Sequence, residues 1–278
     1  MPAASLPLMI PTMSVRYRVY GEMPYRVVLV HGGPGGAGGM APLARALSDR
    51  WGVLEPFQTQ TSVDGQIDEL RQAIDETGAP PATLVGHSWG AWLAYLVAAR
   101  YPDLVRKLIL IGSGGFEARY AEGPDRIRMS RLTSEQRDEV ARLREILPRA
   151  PGEEAKRMFA RFGELFSLAD AYEPIPHARE PIEVRPDIFL SVWPEAAALR
   201  ASGLLLEWGR GIRCPVVAIH GDYDSHPAEG VREPLSRAVR GFRFVLLERC
   251  GHEPWVEKHA KDEFYRVLRA EIDRSPSR

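Results

Sequence analysis

Short apolar runs recur along the chain, and a turn signal and a helical pattern follow most of them. Runs that are apolar throughout, without alternation, are typical of strands that are buried on both faces of a parallel sheet. Six segments have this pattern: VVLVHG, WGVLEP, ATLVGH, KLILIGS, PVVAIHG and FRFVLLE. The segment SVRYRVYG alternates instead, so it predicts an antiparallel edge strand near the start of the chain.

Two of the intervening stretches have the pattern of helices. DGQIDELRQAIDETG places Ile67, Leu70 and Ile74 on one helical face and ends at Gly78. WGAWLAYLVAARYP is apolar on nearly every side, which is typical of a buried helix, and Pro102 stops it. The succession of strands and helices predicts a mostly parallel, doubly wound α/β sheet with right-handed crossovers.

Between KLILIGS and PVVAIHG the apolar strand runs are missing, and the chain is helical, rich in arginine and interrupted by prolines. TSEQRDEVARLREIL opens with a capping-box pattern from Thr133 to Gln136. The stretch MFARFGELF carries an apolar stripe of four residues: Met158, Phe159, Phe162 and Phe166. We predict a helical cap, residues 116–210, inserted into a core domain that residues 1–115 and 211–278 form.

Composition and charge limit the possible partners. A chain of 278 residues can bury a sizeable core without disulfides. Lysine and arginine total 36 against 37 aspartates and glutamates, so the formal net charge is −1. A chain with so little net charge is not expected to attract nucleic acid or an anionic membrane. Cys214 and Cys250 lie far apart without zinc-site spacing, and we interpret both as buried thiols. We expect a small-molecule or short-peptide substrate, no metal and no cofactor.

The N-terminus bears on localisation. MPAASLPLMIPTM is mildly apolar, but it has no positively charged leader, and three prolines interrupt it. No run approaches the ~20 apolar residues of a membrane span. We therefore expect a cytoplasmic protein that does not bind membranes, and the sequence leaves its oligomeric state open.

The pentapeptide GHSWG carries the first candidate chemistry. It follows the strand ATLV and precedes the buried helix, the context in which the serine of G-x-S-x-G is a nucleophile on a sharp strand-to-helix turn. The two glycines of the motif, Gly86 and Gly90, leave room where a Cβ would collide with the neighbouring backbone. Ser88 is therefore the candidate nucleophile.

A serine hydroxyl needs a base to remove its proton, so Ser88 predicts an acid and then a histidine further along the chain. Asp222 and Asp224 follow the strand PVVAIHG, and His252 follows the next strand. Functional groups in such sheets gather at the carboxyl ends of the strands. We choose Asp224 as the acid because it lies beyond the end of the strand and can turn toward the neighbouring loop. Asp222 is expected to cap the turn.

Three other histidines also lie at strand ends, and we expect them to make loop hydrogen bonds: His31, His87 and His220. His252 differs from them because it follows the acid and precedes a final helix. The chain order of the predicted triad therefore selects His252 as the base.

The glycine-rich stretch after the first apolar run, HGGPGGAGGM, fits an oxyanion loop. Acyl transfer needs at least two N–H donors, one from the residue after the nucleophile and one from the loop after an earlier strand. We assign these donors to the amides of Trp89 and Gly33. Pro34 has no N–H, but it fixes the backbone just beyond Gly33.

The same loop also spells G-x-G-x-x-G, and Glu55 ends the next strand near the ~20-residue spacing at which a dinucleotide fold places its ribose-binding acid. That alternative leaves the Ser, Asp and His set unexplained. It also puts Pro34 inside the turn whose amides should face the pyrophosphate. We therefore favour the oxyanion loop over the phosphate loop.

With these motifs the sequence resembles the α/β-hydrolase superfamily over essentially its whole length. HGGPGG resembles its oxyanion loop, GHSWG its nucleophile elbow, GDYD its acid turn and CGH its base turn. The resemblance implies a helical cap between the sixth and seventh strands. It also implies that Ser88 is the nucleophile, Asp224 the orienting acid and His252 the base, with Gly33 and Trp89 around the oxyanion.

Within the superfamily, H-G-G-P-G together with S-W-G resembles the prolyl aminopeptidases, which recognise a free N-terminal amine with cap carboxylates. That group usually has glycine where this chain has His87, and it has a D-x-R-G-x-G stretch where this chain reads LEPFQTQTSVDG. Many small carboxylesterases have GHS at the elbow. Four cap glutamates are candidate amine binders, each of them more typical of a solvated surface charge: Glu164, Glu173, Glu195 and Glu207.

The sequence therefore predicts a serine hydrolase that cleaves a small ester or amide through an acyl-enzyme, with a carboxylesterase slightly favoured. The alternative is a prolyl aminopeptidase-like exopeptidase. A hypothesis of another class is a small-ligand receptor on the hydrolase fold, although a pure binder needs no Ser, Asp and His set. Trp193 and Trp208 in the cap indicate a partly apolar acyl or leaving group.

Overall fold

A central sheet runs through the protein, and the six apolar runs and the alternating one all form strands in it. The last run, FRFVLLE, forms a partly exposed edge strand, so the prediction that it is buried on both faces was wrong. The computed structural model describes residues 16–176 and 182–274, so the N-terminal stretch discussed above lies outside the described residues. In chain order the strands are β1 (Tyr17–Tyr20), β2 (Tyr25–Val30), β3 (Gly36–Ala37), β4 (Gly52–Pro56), β5 (Ala82–His87), β6 (Val105–Ile111), β7 (Glu183–Val184), β8 (Val216–Gly221) and β9 (Arg243–Leu247).

The order of strands in the central sheet is β1-β4-β2-β5-β6-β8-β9. Within the described chain, every neighbouring pair in this sheet is parallel except β1 with β4. The alternating segment is thus the antiparallel edge strand that its pattern predicts. The short strands β3 and β7 pair with each other, away from the central sheet.

The described chain has ten α-helices: α1 (Ala41–Leu47), α2 (Val63–Glu76), α3 (Trp89–Arg100), α4 (Gly123–Arg131), α5 (Ser134–Ile146), α6 (Gly152–Asp170), α7 (Pro186–Ala201), α8 (Leu204–Trp208), α9 (Glu229–Ala238) and α10 (Lys261–Asp273). Alternate strand residues point to opposite faces. One face packs on α2, α3 and α9, and the other packs on α1 and α10. The buried strands are therefore covered on both sides.

Helices α4 to α8 lie between β6 and β8, and we refer to them as the helical segment. The capping box of α5 forms as predicted, since Gln136 N donates to Thr133 Oγ1 and Thr133 N donates to Gln136 Oε1. Phe162 and Phe166 pack with α5 residues. The division at residues 116 and 210 into cap and core stays a prediction.

The two cysteines differ in burial. Cys250 is buried and Cys214 is half-buried, so the prediction of a buried thiol at Cys214 was wrong. Neither cysteine forms a disulfide. In residues 16–176 and 182–274, no helix has both the length and the apolar character that crossing a bilayer requires.

Candidate active site

Ser88 lies at the turn from β5 into α3, with φ 55° and ψ −120°. A non-glycine residue in such a conformation carries strain of order 1–3 kcal/mol, and such strain is concentrated at functional sites. A Cβ on Gly86 would lie 2.2 Å from the carbonyl oxygen of Gly90, and one on Gly90 would lie 2.1 Å from that of Val30. Gly86 is therefore required by the close approach of the start of α3, and Gly90 by the close approach of β2. The turn leaves Ser88 half-buried.

Asp224 and His252 meet beyond the carboxyl ends of β8 and β9. His252 Nδ1 lies 2.7 Å from Asp224 Oδ2, and the Asp224 side chain is fully buried. A Cβ on Gly112 would lie 2.7 Å from the His252 carbonyl oxygen and 3.3 Å from Asp224 Oδ2. Glycine at the end of β6 thus lets the acid and the imidazole approach that strand.

Electrostatics favour an ionised acid beside this histidine. Burial alone would raise the pKa of Asp224, but the neighbouring imidazoles outweigh burial and hold that pKa well below its usual value. Burial lowers the pKa of His252, but the charge and hydrogen bond of Asp224 outweigh it and leave that pKa raised. Because a carboxylate only accepts, His252 Nδ1 carries the proton, and in the neutral ring Nε2 is left unprotonated and able to accept a proton.

Asp222 does not cap its own turn, which corrects that expectation. Its Oδ1 accepts a hydrogen bond of 3.1 Å from the Cys250 amide, so it ties the acid turn to the loop that carries His252. The backbone adds a second tie, because the Tyr223 amide donates to the Cys250 carbonyl over 2.9 Å. The two aspartates are therefore distinct in role, and Asp224 is the one that contacts the histidine.

The three strand-end histidines make the hydrogen bonds expected of them. His31 Nδ1 lies 2.9 Å from the Gly32 carbonyl, His87 Nε2 lies 3.1 Å from the His252 carbonyl, and His220 Nε2 lies 2.8 Å from the His226 carbonyl. Burial lowers the pKa of His31 to about 4 and, with the charge of His252, that of His87 to about 3. Both rings are therefore neutral at physiological pH.

His226 is a residue that the sequence analysis missed. Its Nδ1 lies 3.0 Å from Asp224 Oδ1, and its ring centroid lies 5.1 Å from that of His252. Donor atoms of Asp224, His226 and His252 also lie within 4.8 Å of one another, close enough to hold a metal ion in principle. Their mutual hydrogen bonds already account for this grouping. The available signal was a histidine two positions after the candidate acid.

The glycine-rich loop after β2 passes beside Ser88. A Cβ on Gly32 would lie 2.9 Å from Ser88 Cβ, so only glycine allows this approach. Gly33 has φ 119°, and a Cβ there would lie 2.8 Å from the Gly35 amide nitrogen. Trp89 begins α3 directly after Ser88, and its indole N–H donates to Gln66 Oε1 over 2.9 Å. The oxyanion role of the Gly33 and Trp89 amides stays a prediction.

Glu55 has a structural position. It is fully buried and accepts hydrogen bonds from the Tyr20 hydroxyl at 2.9 Å and the Met40 amide at 3.0 Å. Burial raises the pKa of this carboxyl. Glu55 therefore joins β1 and the start of α1 to β4, and its carboxylate oxygens are already occupied. This placement argues against a ribose-binding role for Glu55.

The helical segment is hydrogen-bonded to the loop that carries His252. Glu257, which is buried, accepts from the amides of Tyr172 at 2.8 Å, Glu173 at 2.9 Å and Gly251 at 2.9 Å. The carbonyl of Asp170, at the end of α6, accepts from the His252 amide at 3.0 Å. We call residues 170–175 with their partners in residues 251–258 the base-side seam.

A second contact joins the helical segment to the glycine-rich loop. Strand β7 pairs with β3, and the Arg185 amide donates to the Gly35 carbonyl over 2.9 Å. A Cβ on Gly35 would lie 2.5 Å from the Arg185 carbonyl oxygen. We call residues 183–185 with their partners in residues 35–37 the glycine-side seam. Loops on both sides of Ser88 thus depend on the helical segment for part of their hydrogen bonding.

The four glutamates considered as amine binders lie in different surroundings. Glu164 pairs with Arg161, and Glu173 pairs with Lys258 and His259. The carboxylate of Glu195 accepts from the Val63 amide over 2.8 Å, at the start of α2. Glu207 lies exposed on α8. Three of the four carboxylates therefore have protein partners.

Comparison with known proteins adds a family and several relatives. A family model described as the alpha/beta hydrolase fold matches residues 25–258. A proline iminopeptidase of Saccharolobus solfataricus is 24% identical over 92% of this chain and 87% of its own length. Epoxide hydrolase 4 of Mus musculus is 35% identical, but that match spans only 19% of this chain and 15% of the relative.

Solved structures with the same fold cover nearly the whole chain. VinJ superposes with a TM-score of 0.68 at 20% identity, over 95% of this chain and 97% of VinJ. The enol-lactonase from Burkholderia xenovorans LB400 superposes with a TM-score of 0.60 at 19% identity, over 94% of this chain and 96% of the lactonase. At these identities the likeness concerns the fold.

Proposed function

The chain belongs to the alpha/beta hydrolase fold family, and from this premise we propose that it is a serine hydrolase that cleaves a small ester through an acyl-enzyme intermediate. One observation carries the proposal: the buried Asp224 carboxylate holds His252 by Nδ1 at 2.7 Å, beyond the strand ends that also present Ser88 on its strained turn. A nucleophile, a base and a group that orients the base are the parts that acyl transfer requires.

In the proposed mechanism, Nε2 of His252 takes the Ser88 proton as the serine oxygen attacks the substrate carbonyl. Asp224 keeps the imidazole in the required tautomer and stabilises the imidazolium. The Gly33 and Trp89 amides stabilise the tetrahedral oxyanion. His252 then protonates the leaving alcohol, and a water molecule repeats the sequence on the acyl-enzyme to release the acid.

An ester is favoured over an N-terminal peptide bond by the surroundings of the cap glutamates. Recognition of a free amine requires a carboxylate directed at the substrate. Glu164 and Glu173 form ion pairs with basic side chains, and Glu195 accepts from a helix amide. An aminopeptidase is the second candidate, and the 24% identity with a proline iminopeptidase over 92% of this chain favours it.

The test of this proposal is covalent labelling with a fluorophosphonate. We expect stoichiometric modification of Ser88, identified by mass spectrometry of the labelled peptide, and no modification of the folded Ser88→Ala variant. An activated serine reacts because its base removes the proton, whereas an ordinary hydroxyl does not. A folded protein that resists labelling would contradict the proposal and favour the receptor hypothesis.

Two substrate classes separate esterase from aminopeptidase. We expect hydrolysis of short p-nitrophenyl esters with repeated turnover, and no cleavage of a proline p-nitroanilide at the same enzyme concentration. Both assays release a coloured product, so a continuous absorbance record measures them directly. Faster cleavage of the anilide would reverse the order of the two candidates.

The pH dependence of the reaction follows from the pKa of His252. The base acts in its neutral form, so kcat/KM falls as pH drops through the pKa of His252 in the free enzyme. Because Asp224 raises that pKa above its usual value of 6.5, we expect the acid limb of the kcat/KM profile above pH 6.5. The measurement uses an uncharged ester across pH 5 to 9. An acid limb below pH 6.5 would contradict the raised pKa.

A further inference from the structure

We propose that His226 is a positioning residue for the base: it holds the second oxygen of the Asp224 carboxylate and packs against the ring of His252. The inference rests on the proposed function, because it assigns a role toward the base of that reaction. His226 contacts the base and its acid, and it acts on the reaction through them.

Asp224 divides its two carboxylate oxygens between two histidines. Oδ2 faces His252 Nδ1 at 2.7 Å, whereas Oδ1 faces His226 Nδ1 at 3.0 Å and the His226 amide at 2.9 Å. The Asp224 side chain is fully buried, and that of His226 is 10% exposed. A carboxylate only accepts hydrogen bonds, so His226 Nδ1 carries its proton as His252 Nδ1 does. Rotation of the carboxylate away from His252 would break both bonds to His226.

Two other histidine rings pack against the His252 ring. His226 packs on it with the centroids 5.1 Å apart and the planes 26° apart, and His87 lies at 4.7 Å and 52°. The His226 ring thus limits the directions in which His252 can turn. Without this ring, the imidazole would gain rotamers in which Nδ1 leaves Asp224 Oδ2.

A hydrogen bond from His220 fixes the backbone of His226. The buried His220 ring donates from Nε2 to the His226 carbonyl over 2.8 Å, and the same nitrogen lies 3.7 Å from Asp224 Oδ2. The bond fixes the tautomer of His220, since a carbonyl only accepts. Three imidazoles therefore surround one carboxylate, and two of them contact it through hydrogen bonds.

Charged groups around His226 come from several elements. Asp224 and His252 face it from the two loops of the site, and Arg128 from α4 acts on it through its charge. Arg128 is neutralised by Asp170, which it contacts at 2.7 to 3.0 Å. Burial lowers the pKa of His226 despite Asp224, so it is a neutral donor rather than a second cation. A neutral donor stabilises the carboxylate without repelling the imidazolium of His252.

This role predicts the direction in which the pKa of His252 changes when His226 is replaced. The hydrogen bond from His226 weakens the attraction between the Asp224 carboxylate and the His252 proton. Phenylalanine at this position keeps a packed ring but removes the donor, so the carboxylate attracts the His252 proton more strongly. Asparagine keeps an N–H donor near the position of Nδ1 but removes the ring. The two substitutions therefore separate the hydrogen bond from the packing.

The first readout is kinetic. For His226→Phe we expect kcat to fall about tenfold, KM to stay within about twofold, and the acid limb of kcat/KM to move up by about half a pH unit. For His226→Asn we expect the acid limb to stay near that of the wild type. The matched control is His259→Phe, which makes the same replacement at an exposed histidine. It should change neither kcat, nor KM, nor the acid limb. Unchanged kcat and acid limb in folded His226→Phe would overturn the inference.

The second readout does not depend on turnover. NMR titration of the His252 ring in the wild type and the two variants measures its pKa directly. We expect a higher pKa in His226→Phe than in the wild type and in His226→Asn. A wild type that neither labels nor turns over esters would contradict the proposed function, while the titration would still decide the role of His226. An identical His252 pKa in all three proteins would overturn that role.

Discussion

Replacing Ser88 with alanine is expected to reduce ester turnover by about 10⁴- to 10⁶-fold. Without the hydroxyl no acyl-enzyme can form, so the base and the acid have no nucleophile to activate. Rate acceleration left in the variant would come from binding and the oxyanion donors alone. Steady-state hydrolysis of a p-nitrophenyl ester measures the loss, and circular dichroism with urea unfolding establishes that the variant is folded.

Ser113 provides the matched control for this substitution. It is buried at the end of β6, close to the site, and its hydroxyl donates to the Gly114 carbonyl over 3.1 Å. Ser113→Ala removes the same atom from a neighbouring strand end, and we expect kcat to stay within about threefold because a neutral hydrogen bond contributes only about 1 kcal/mol. Turnover retained by Ser88→Ala at the level of Ser113→Ala would remove Ser88 from the mechanism.

Replacing Asp224 with asparagine is expected to lower kcat by about 10⁴-fold. An asparagine amide can donate to His252 Nδ1, which favours the tautomer that carries its proton on Nε2 and is unable to accept one from Ser88. The negative charge that raises the pKa of His252 is lost as well. We therefore expect the acid limb of any residual activity to move to lower pH, and the pH dependence of kcat/KM measures that shift.

Asp222→Asn is the control for that prediction, because the two aspartates lie two residues apart and receive the same chemical change. An asparagine oxygen still accepts from the Cys250 amide, the contact that Asp222 makes at 3.1 Å. We expect kcat within a few-fold of the wild type. The opposite outcome, a severe loss in Asp222→Asn and a mild one in Asp224→Asn, would identify Asp222 as the acid.

The features that the sequence predicted well are local ones. A strand that is buried on both faces is recognisable from its own residues, and the elbow glycines are required by atoms within a few residues of Ser88 or in the adjacent strand β2. The meeting of Asp224 and His252 is not local, but it could be predicted because strand ends of a parallel sheet meet at one edge. Each of these inferences needs only the pattern and the sheet.

Most of the features that were missed depend on contacts distant in sequence, whereas His226 was missed although it lies two residues after Asp224. Glu257 binds the Tyr172 amide across 85 residues, and Arg128 binds Asp170 across 42, so no local pattern marks either residue. Glu55 invited a dinucleotide hypothesis because spacing alone matched a motif. Its actual partners, Tyr20 and Met40, come from elements whose packing the spacing does not specify.

The two seams limit which part of the helical segment could be exchanged with that of a relative to change specificity. The base-side seam joins the end of α6 to the loop that carries His252. The glycine-side seam joins the residues just before α7 to the glycine-rich loop beside Ser88. A chimaera that replaces the whole segment would remove hydrogen bonds that hold both loops. A graft limited to α5 and the first turns of α6 would leave both attachments, and the largely buried Arg128–Asp170 ion pair, in the recipient's own residues.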